Sequence, residues 1–91
     1  MRLRFAPQAR TDLIDIRDWI AADRPRAARE VVARIRQTAT LLGQFPGIGR
    51  AGRVAGSREF PVTGLPYTIV YAVDDEAVTI LAVVHQSRRY P

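Results

Sequence analysis

Two runs near the C-terminus, YTIVYAV at residues 67–73 and VTILAVVH at 78–85, constrain this chain more than any other stretch. Both are rich in β-branched and aromatic residues, which fit a pleated surface, and the acidic triplet Asp74, Asp75, Glu76 between them reads as a hairpin loop. In the first run Tyr67, Ile69, Tyr71 and Val73 point one way and Thr68, Val70 and Ala72 the other, whereas the second is apolar on both sides as far as His85. A sheet with one solvated face alternates more cleanly. Two readings are open: a partner covers the second face or an exposed edge, or the chain's own long loop or end folds over it.

The cover for the first face is legible upstream. Residues 2–6, RLRFA, alternate as a short strand that Pro7 ends. From there Ala9, Leu13, Ile16 and Ile20 recur at spacings of four, three and four, with Arg10, Asp12, Asp15, Arg17 and Asp18 on the other faces, which predicts an amphipathic helix to near Ala22. Pro25, with Asp23 as its cap, opens a second helix whose stripe is Ala28, Val31, Ile35, Ala39 and Leu42 and whose stop is Gly43. Arg26, Glu30 and Arg34, four apart, line its exposed side. The link is so short that the helices must form an antiparallel hairpin. Glycines 47, 49, 52 and 56 then predict a loop to about Ser57, followed by a strand over Arg58 to Val62 in which Pro61 marks an edge or a bulge. The expected fold is α+β, one domain over residues 1–91: an N-terminal strand, then a helical hairpin packed on one face of a mostly antiparallel sheet.

The loop contains GIGRAG, residues 47–52, which matches the G-x-G-x-x-G pattern of dinucleotide-binding turns. That pattern binds pyrophosphate only where a strand enters and a helix leaves, and here a helix and Phe45-Pro46 enter while loop and strand come after. A chain of 91 residues is also too short for two βαβ halves. The absence of cysteine removes disulfides, thiolate metal sites and cysteine nucleophiles, and with a single histidine neither a metal nor another cofactor is expected. The N-terminus lacks a signal-peptide core and AVTILAVV is far too short to cross a bilayer, so a cytoplasmic chain with no membrane partner is expected.

The net charge is +5, carried by fourteen arginines and no lysine. Guanidinium pairs bidentately with carboxylate and phosphate, which suits an acidic protein partner or nucleic acid, although arginine-favouring codon usage explains the missing lysine equally well. Arg50, Arg53 and Arg58 in the glycine-rich segment, with Arg88 and Arg89 in the terminal HQSRRYP, are candidates for an anion site at one end of the sheet; the alternative is ordinary solvated charge. His85 with Arg58, Glu59 and Tyr90 has the residue types of a metal-independent ribonuclease: a base for the 2′-hydroxyl, an acid for the leaving oxygen and a cation for the phosphorane. The alternative is a histidine that caps the sheet through hydrogen bonds.

DLIDIRDWIA, FPGIGRAGRVAGSRE, PYTIVYAV and ILAVVHQSRRYP, in this order and spacing, resemble the RelE/ParE superfamily of toxins from bacterial type II toxin–antitoxin pairs over nearly the whole chain. The resemblance implies a strand, a helical hairpin and a three-stranded antiparallel meander. It also implies a toxin in a hetero-oligomer with a small acidic antitoxin, ParD-like or similar. RelE-like members cut mRNA on the ribosome; ParE-like members lack the nuclease residues and poison DNA gyrase. The lysine-dependent nuclease site is impossible here, and a related glutamate, arginine, histidine and tyrosine set has only Glu59, Arg58, His85 and Tyr90 to draw on, with QSRR between the last two where that set has neighbours. The H-Q-S ending of the last strand and the long first helix lean ParE-like. The expectation is therefore a gyrase inhibitor using Arg50, Arg53, Arg58, Arg88, Arg89 and Tyr90 for partner or target binding, with a ribosome-dependent endoribonuclease as the alternative. A plain nucleic-acid-binding module fits the charge but lacks base-stacking aromatics on a strand, apart from Tyr67 and Tyr71.

Overall fold

The computed structural model describes residues 1–87; the candidates Arg88, Arg89 and Tyr90 lie outside the described residues. In chain order the elements are β1 (Arg2–Phe5), α1 (Pro7–Ala21), α2 (Pro25–Gln44), a 3-10 turn (Pro46–Ile48), β2 (Arg50–Ala51), β3 (Arg58–Pro61), β4 (Tyr67–Val73) and β5 (Ala77–His85). The sheet runs β1-β5-β4-β3-β2, with β1 parallel to β5 and every other pair antiparallel. The α+β architecture is the expected one, with one addition: the glycine-rich segment contributes a two-residue strand, because Arg50 and Ala51 pair with Glu59 and Arg58.

Apolar residues at helical spacing in α1 and α2 meet the period-two residues of one sheet face. Ala9, Leu13, Ile16, Ile35, Ala39 and Leu42 pack against Ile69, Tyr71, Val78, Ile80 and Val83, and Leu3, Phe5 and Phe60 extend the same cluster. The doubly apolar look of VTILAVVH has a local cause. Val70 lies opposite Ala82 and Tyr71 opposite Ile80, so Leu81 is an unopposed bulge residue. One extra residue reverses the alternation, and Val83 returns to the core side that Val78 and Ile80 occupy before it.

Two expected helix boundaries are corrected. Asp23 is not a cap: the N-cap position of α2 is Arg24, with no side-chain hydrogen bond, because Pro25 at the first helical position has no N–H to satisfy and holds the residue before it extended. Nor does Gly43 stop α2, which runs through it to Gln44 and ends where Phe45, restricted by Pro46, leaves the helical region. Gly43 is buried against β1, where the N-terminal amine of Met1 donates to its carbonyl at 3.3 Å.

The loop between β4 and β5 closes on Asp74, whose Oδ1 accepts the amides of Glu76 at 2.7 Å and Ala77 at 2.8 Å. These amide hydrogen bonds, with a smaller contribution from the charge of Arg4, hold the Asp74 carboxyl below its ordinary value. A carboxyl lowered on folding stabilises the native state above its unfolded pKa, and that contribution disappears as pH falls through the folded value. Asp74→Ala is therefore expected to lower the urea midpoint at neutral pH, with the gap from the wild type narrowing as the pH is lowered through and below the ordinary carboxylate range. A gap that stays constant or widens in acid would contradict the assignment.

Candidate functional site: a basic groove on the open face of the sheet

The face of the sheet away from the helices carries the candidate site. In β3, Arg58 lies opposite Tyr71 and Phe60 opposite Ile69 on the helix side, which puts Glu59 and Pro61, opposite Val70 and Thr68, on the open side. This face is not bare: Val70, Thr68 and Glu59 are buried on it. The glycine-rich segment stands on one side of it and the chain end on the other, where the Gln86 amide donates to Pro66 O at 2.8 Å. Between them runs an open groove of about 500 Å³, walled by Ile48, Arg50 and Arg53 on one side and His85 and Gln86 on the other, over a floor of Glu59, Pro61, Thr68 and Val84.

Gly49 seats the start of the glycine-rich segment on the sheet. The Gly49 amide donates to the buried Tyr71 hydroxyl at 2.8 Å, the same hydroxyl donates to Pro46 O at 2.8 Å, and Arg58 Nη1 donates to Gly49 O at 2.8 Å. A Cβ at position 49 would lie 2.7 Å from Tyr71 Cε1 and 2.9 Å from the Glu59 carbonyl. Gly52 is pressed against Ser57 in the same way. These glycines of GIGRAG thus serve close backbone packing on the sheet, and the segment leads into β2 rather than a helix.

Glu59 ties the same segment from the open side. One carboxylate oxygen accepts the Arg53 amide at 3.1 Å and the other lies 3.5 Å from Arg50 Nη2, whose side chain is three-quarters exposed. The groove therefore presents the Arg50 and Arg53 side chains over a carboxylate that is already hydrogen-bonded, an arrangement suited to an anionic group on a partner.

His85 ends β5, its ring edge-on to Tyr67 with centroids 5.3 Å apart. Its Nδ1 accepts the Ser87 amide at 3.1 Å, because an amide can only donate, and lies 2.7 Å from the Ser87 hydroxyl. Burial raises the Tyr67 hydroxyl above its ordinary value. Of the candidate residues, the structure thus brings Arg50, Arg53 and Glu59 to the open-face groove, while His85, opposite Tyr67 on the helix side, lines both the end of that groove and the groove beside Trp19. It does not bring Arg58 to the open face: adjacent strand residues point to opposite faces, and the guanidinium of Arg58 is engaged with Gly49 O on the helix side. Among the described residues no three His, Cys, Asp or Glu side chains gather as a metal site, and no helix is long and apolar enough to cross a membrane.

Three features are visible only in the folded chain. The Tyr71 hydroxyl anchors the glycine segment, and its signal in the sequence is a phenol on the apolar face that needs a partner for its oxygen. Asp12, on a polar face of α1, accepts the Val83 amide at 2.9 Å where β1 no longer covers β5, which periodicity alone does not reveal. Trp19 is 82% exposed beside a groove lined by Asp12, Asp15, Ile20, Tyr67 and Val83. Its signal is an indole seven and four residues after two aspartates, on the polar side of α1.

Relatives agree with the fold and its spacing. A family profile described as "ParE toxin of type II toxin-antitoxin system, parDE" matches residues 3–90. The chain is 37% identical over 90 residues to the protein Y4kP of Sinorhizobium fredii, covering 99% of this chain and 93% of that one. It is 37% identical over 81 residues to the toxin RelE2 of Caulobacter vibrioides, covering 89% and 90% respectively. Among solved structures, the chromosomal ParDE toxin–antitoxin system of P. aeruginosa superposes with a TM-score of 0.85 at 25% identity, over 93% of this chain and 95% of that one. The YoeB dimer of Staphylococcus aureus shares the fold at a TM-score of 0.62 and 18% identity, over 99% and 98%. This chain therefore belongs to the ParE toxin family of type II toxin–antitoxin systems, within the RelE/ParE superfamily.

Proposed function

We propose that this toxin acts by binding DNA gyrase, and that a small acidic antitoxin neutralises it in the bacterial cytoplasm. The observation that carries the reading is the alternation along β3. Arg58 and Glu59, the cation and carboxylate that a nuclease of this fold would draw on here, face opposite ways, and both side chains hold the glycine-rich segment in place. A catalyst needs its acid, base and cation around one reacting phosphate. Arg50 and Arg53 over the groove instead suit recognition of an anionic surface, and in the sequence Arg88, Arg89 and Tyr90 follow shortly after Gln86, which lines it.

The test is truncation. The cut belongs after Ser87 rather than before Gln86, because the Gln86 amide secures the chain end to Pro66. Removing residues 88–91 is expected to abolish growth inhibition while the antitoxin still binds with unchanged affinity in calorimetry. Truncated protein that remains fully toxic would remove Arg88, Arg89 and Tyr90 from the proposed target contact.

A further inference from the structure

Trp19 is the single tryptophan of the chain, and at 82% exposure it is the barest large apolar side chain among the described residues. It lines a groove of about 500 Å³ between α1 and the sheet, where β4 begins and β5 ends, with Ile16, Ile20 and Val83 as apolar surface and Tyr67 as a second ring. On a chain of net charge +5, this lining holds two carboxylates, Asp12 and Asp15, and no arginine. Asp12 is engaged: its two oxygens accept from the Gln8 side chain at 2.8 Å and from the Val83 amide at 2.9 Å. The Asp15 carboxylate has no hydrogen bond or ion pair among the described residues, and the Trp19 indole one helical turn on has no ring or cation of those residues against it. A carboxylate and a bare indole a turn apart are the two surfaces a guanidinium uses, the first through its paired N–H donors and the second against its flat face.

We propose that the chain's own C-terminal segment docks in this groove, with a guanidinium of Arg88 or Arg89 paired to Asp15 and stacked on Trp19. Position in the chain selects the occupant. Ser87 lines the groove, and Arg88 and Arg89 are the next two residues. Four residues after Ser87 span at most roughly 14 Å when extended, and the covalent link holds them beside the groove at high effective concentration. Charge agrees with position. The carboxylates and rings of this groove attract two arginines, whereas the open-face groove that Gln86 also lines presents Arg50 and Arg53 and repels them. Docking sets how available the two guanidinium groups are: paired within the chain, they reach an anionic partner only when it outcompetes Asp15 for them. The inference concerns the toxin by itself and holds whichever target it meets, so its test needs no target.

The experiment reads both members of the contact in the full chain. Acrylamide quenching of fluorescence reports the one tryptophan, and the rate at which trypsin cuts after Arg88 and Arg89, followed by mass spectrometry, reports the segment. Wild type is compared with Asp15→Asn, with Arg88→Gln/Arg89→Gln and with the three changes combined, and thermal melts show that each is folded. An exposed cation–π contact with one ion pair favours the docked segment roughly five- to tenfold, so Asp15→Asn and the arginine pair are each expected to raise the quenching constant about twofold. The combined variant should show no further rise, because the separate changes remove one shared contact. Trypsin should cut the segment of Asp15→Asn about two- to fivefold faster than that of the wild type at low salt, with the difference shrinking at high salt. Either readout left unchanged by Asp15→Asn overturns the docking. So does a rise in quenching on Asp15→Asn that persists undiminished in the Arg88/Arg89 background, since the carboxylate then acts on the indole directly. Wild-type quenching that increases on dilution assigns the groove to the arginines of a second copy and overturns it too.

Discussion

Gly49→Ala is expected to destabilise the fold by about 3–5 kcal/mol. The added Cβ would sit 2.7 Å from the Tyr71 ring and 2.9 Å from the Glu59 carbonyl, and neither can yield cheaply. Tyr71 is fully buried, and the carbonyl belongs to β3, which is paired on both sides. Overpacking of this kind costs roughly 1–3 kcal/mol by itself. Moving the segment away also breaks the bonds from the Tyr71 hydroxyl to Gly49 and Pro46, leaving polar groups unsatisfied at about 1–3 kcal/mol. For a domain of this size the melting temperature should fall by roughly 15 °C or more. Tyr71→Phe, which deletes the hydroxyl without the clash, should show only the second part. A Gly49→Ala protein that melts within a few degrees of the wild type would mean that the segment is not seated on Tyr71.

Ile35→Ala is expected to cost a similar amount, about 3–5 kcal/mol, for a different reason. Ile35 is fully buried in the middle of the α2 stripe and faces the sheet in the main cluster, so truncation forfeits the transfer energy of three carbons and leaves a cavity. A 91-residue domain has little stability to spare, and this change should bring the protein near its unfolding threshold at physiological temperature. Val31, in the same stripe but only partly buried, is the internal comparison: Val31→Ala should cost clearly less in denaturant titrations.

The contrast between these sites marks how far the fold is legible in the sequence. Ile35, Leu42, Leu13 and Ile16 announce themselves by helical spacing, and Ile69 and Tyr71 by strand alternation, because burial of one face forces a period on the chain. The helical hairpin and the β4–β5 pair emerge from those periods. Features that obey no period leave no such mark. Leu81 inverts the alternation of β5 as a bulge, so the apolar residues of that strand look like two buried faces when one continuous core claims Val78, Ile80 and Val83. Gly49 and Gly52 look irregular because glycine carries no side-chain pattern; their role shows only once Tyr71 and Ser57 are seen at the positions their Cβ atoms would take. The arginines are legible as charge and not as geometry. Nothing in the spacing of Arg50, Arg53 and Arg58 says that two of them line a groove while the third is turned to the opposite face to hold Gly49.

On the proposed reading, that division between Arg58 and Glu59 distinguishes a binding toxin from a nuclease, and one paired assay tests it most directly. Purified protein, wild type and His85→Gln, is added to DNA gyrase with relaxed plasmid and, in parallel, to translating ribosomes with an end-labelled message. Glutamine offers an acceptor of similar reach to the His85 Nδ1 that Ser87 engages, while it cannot act as an acid or base, a loss worth roughly two to four decades to a nuclease. The account predicts that both proteins inhibit supercoiling to the same extent and leave the message whole. Cleavage of the message at codon boundaries by the wild type, lost in His85→Gln, with gyrase unaffected, would contradict it.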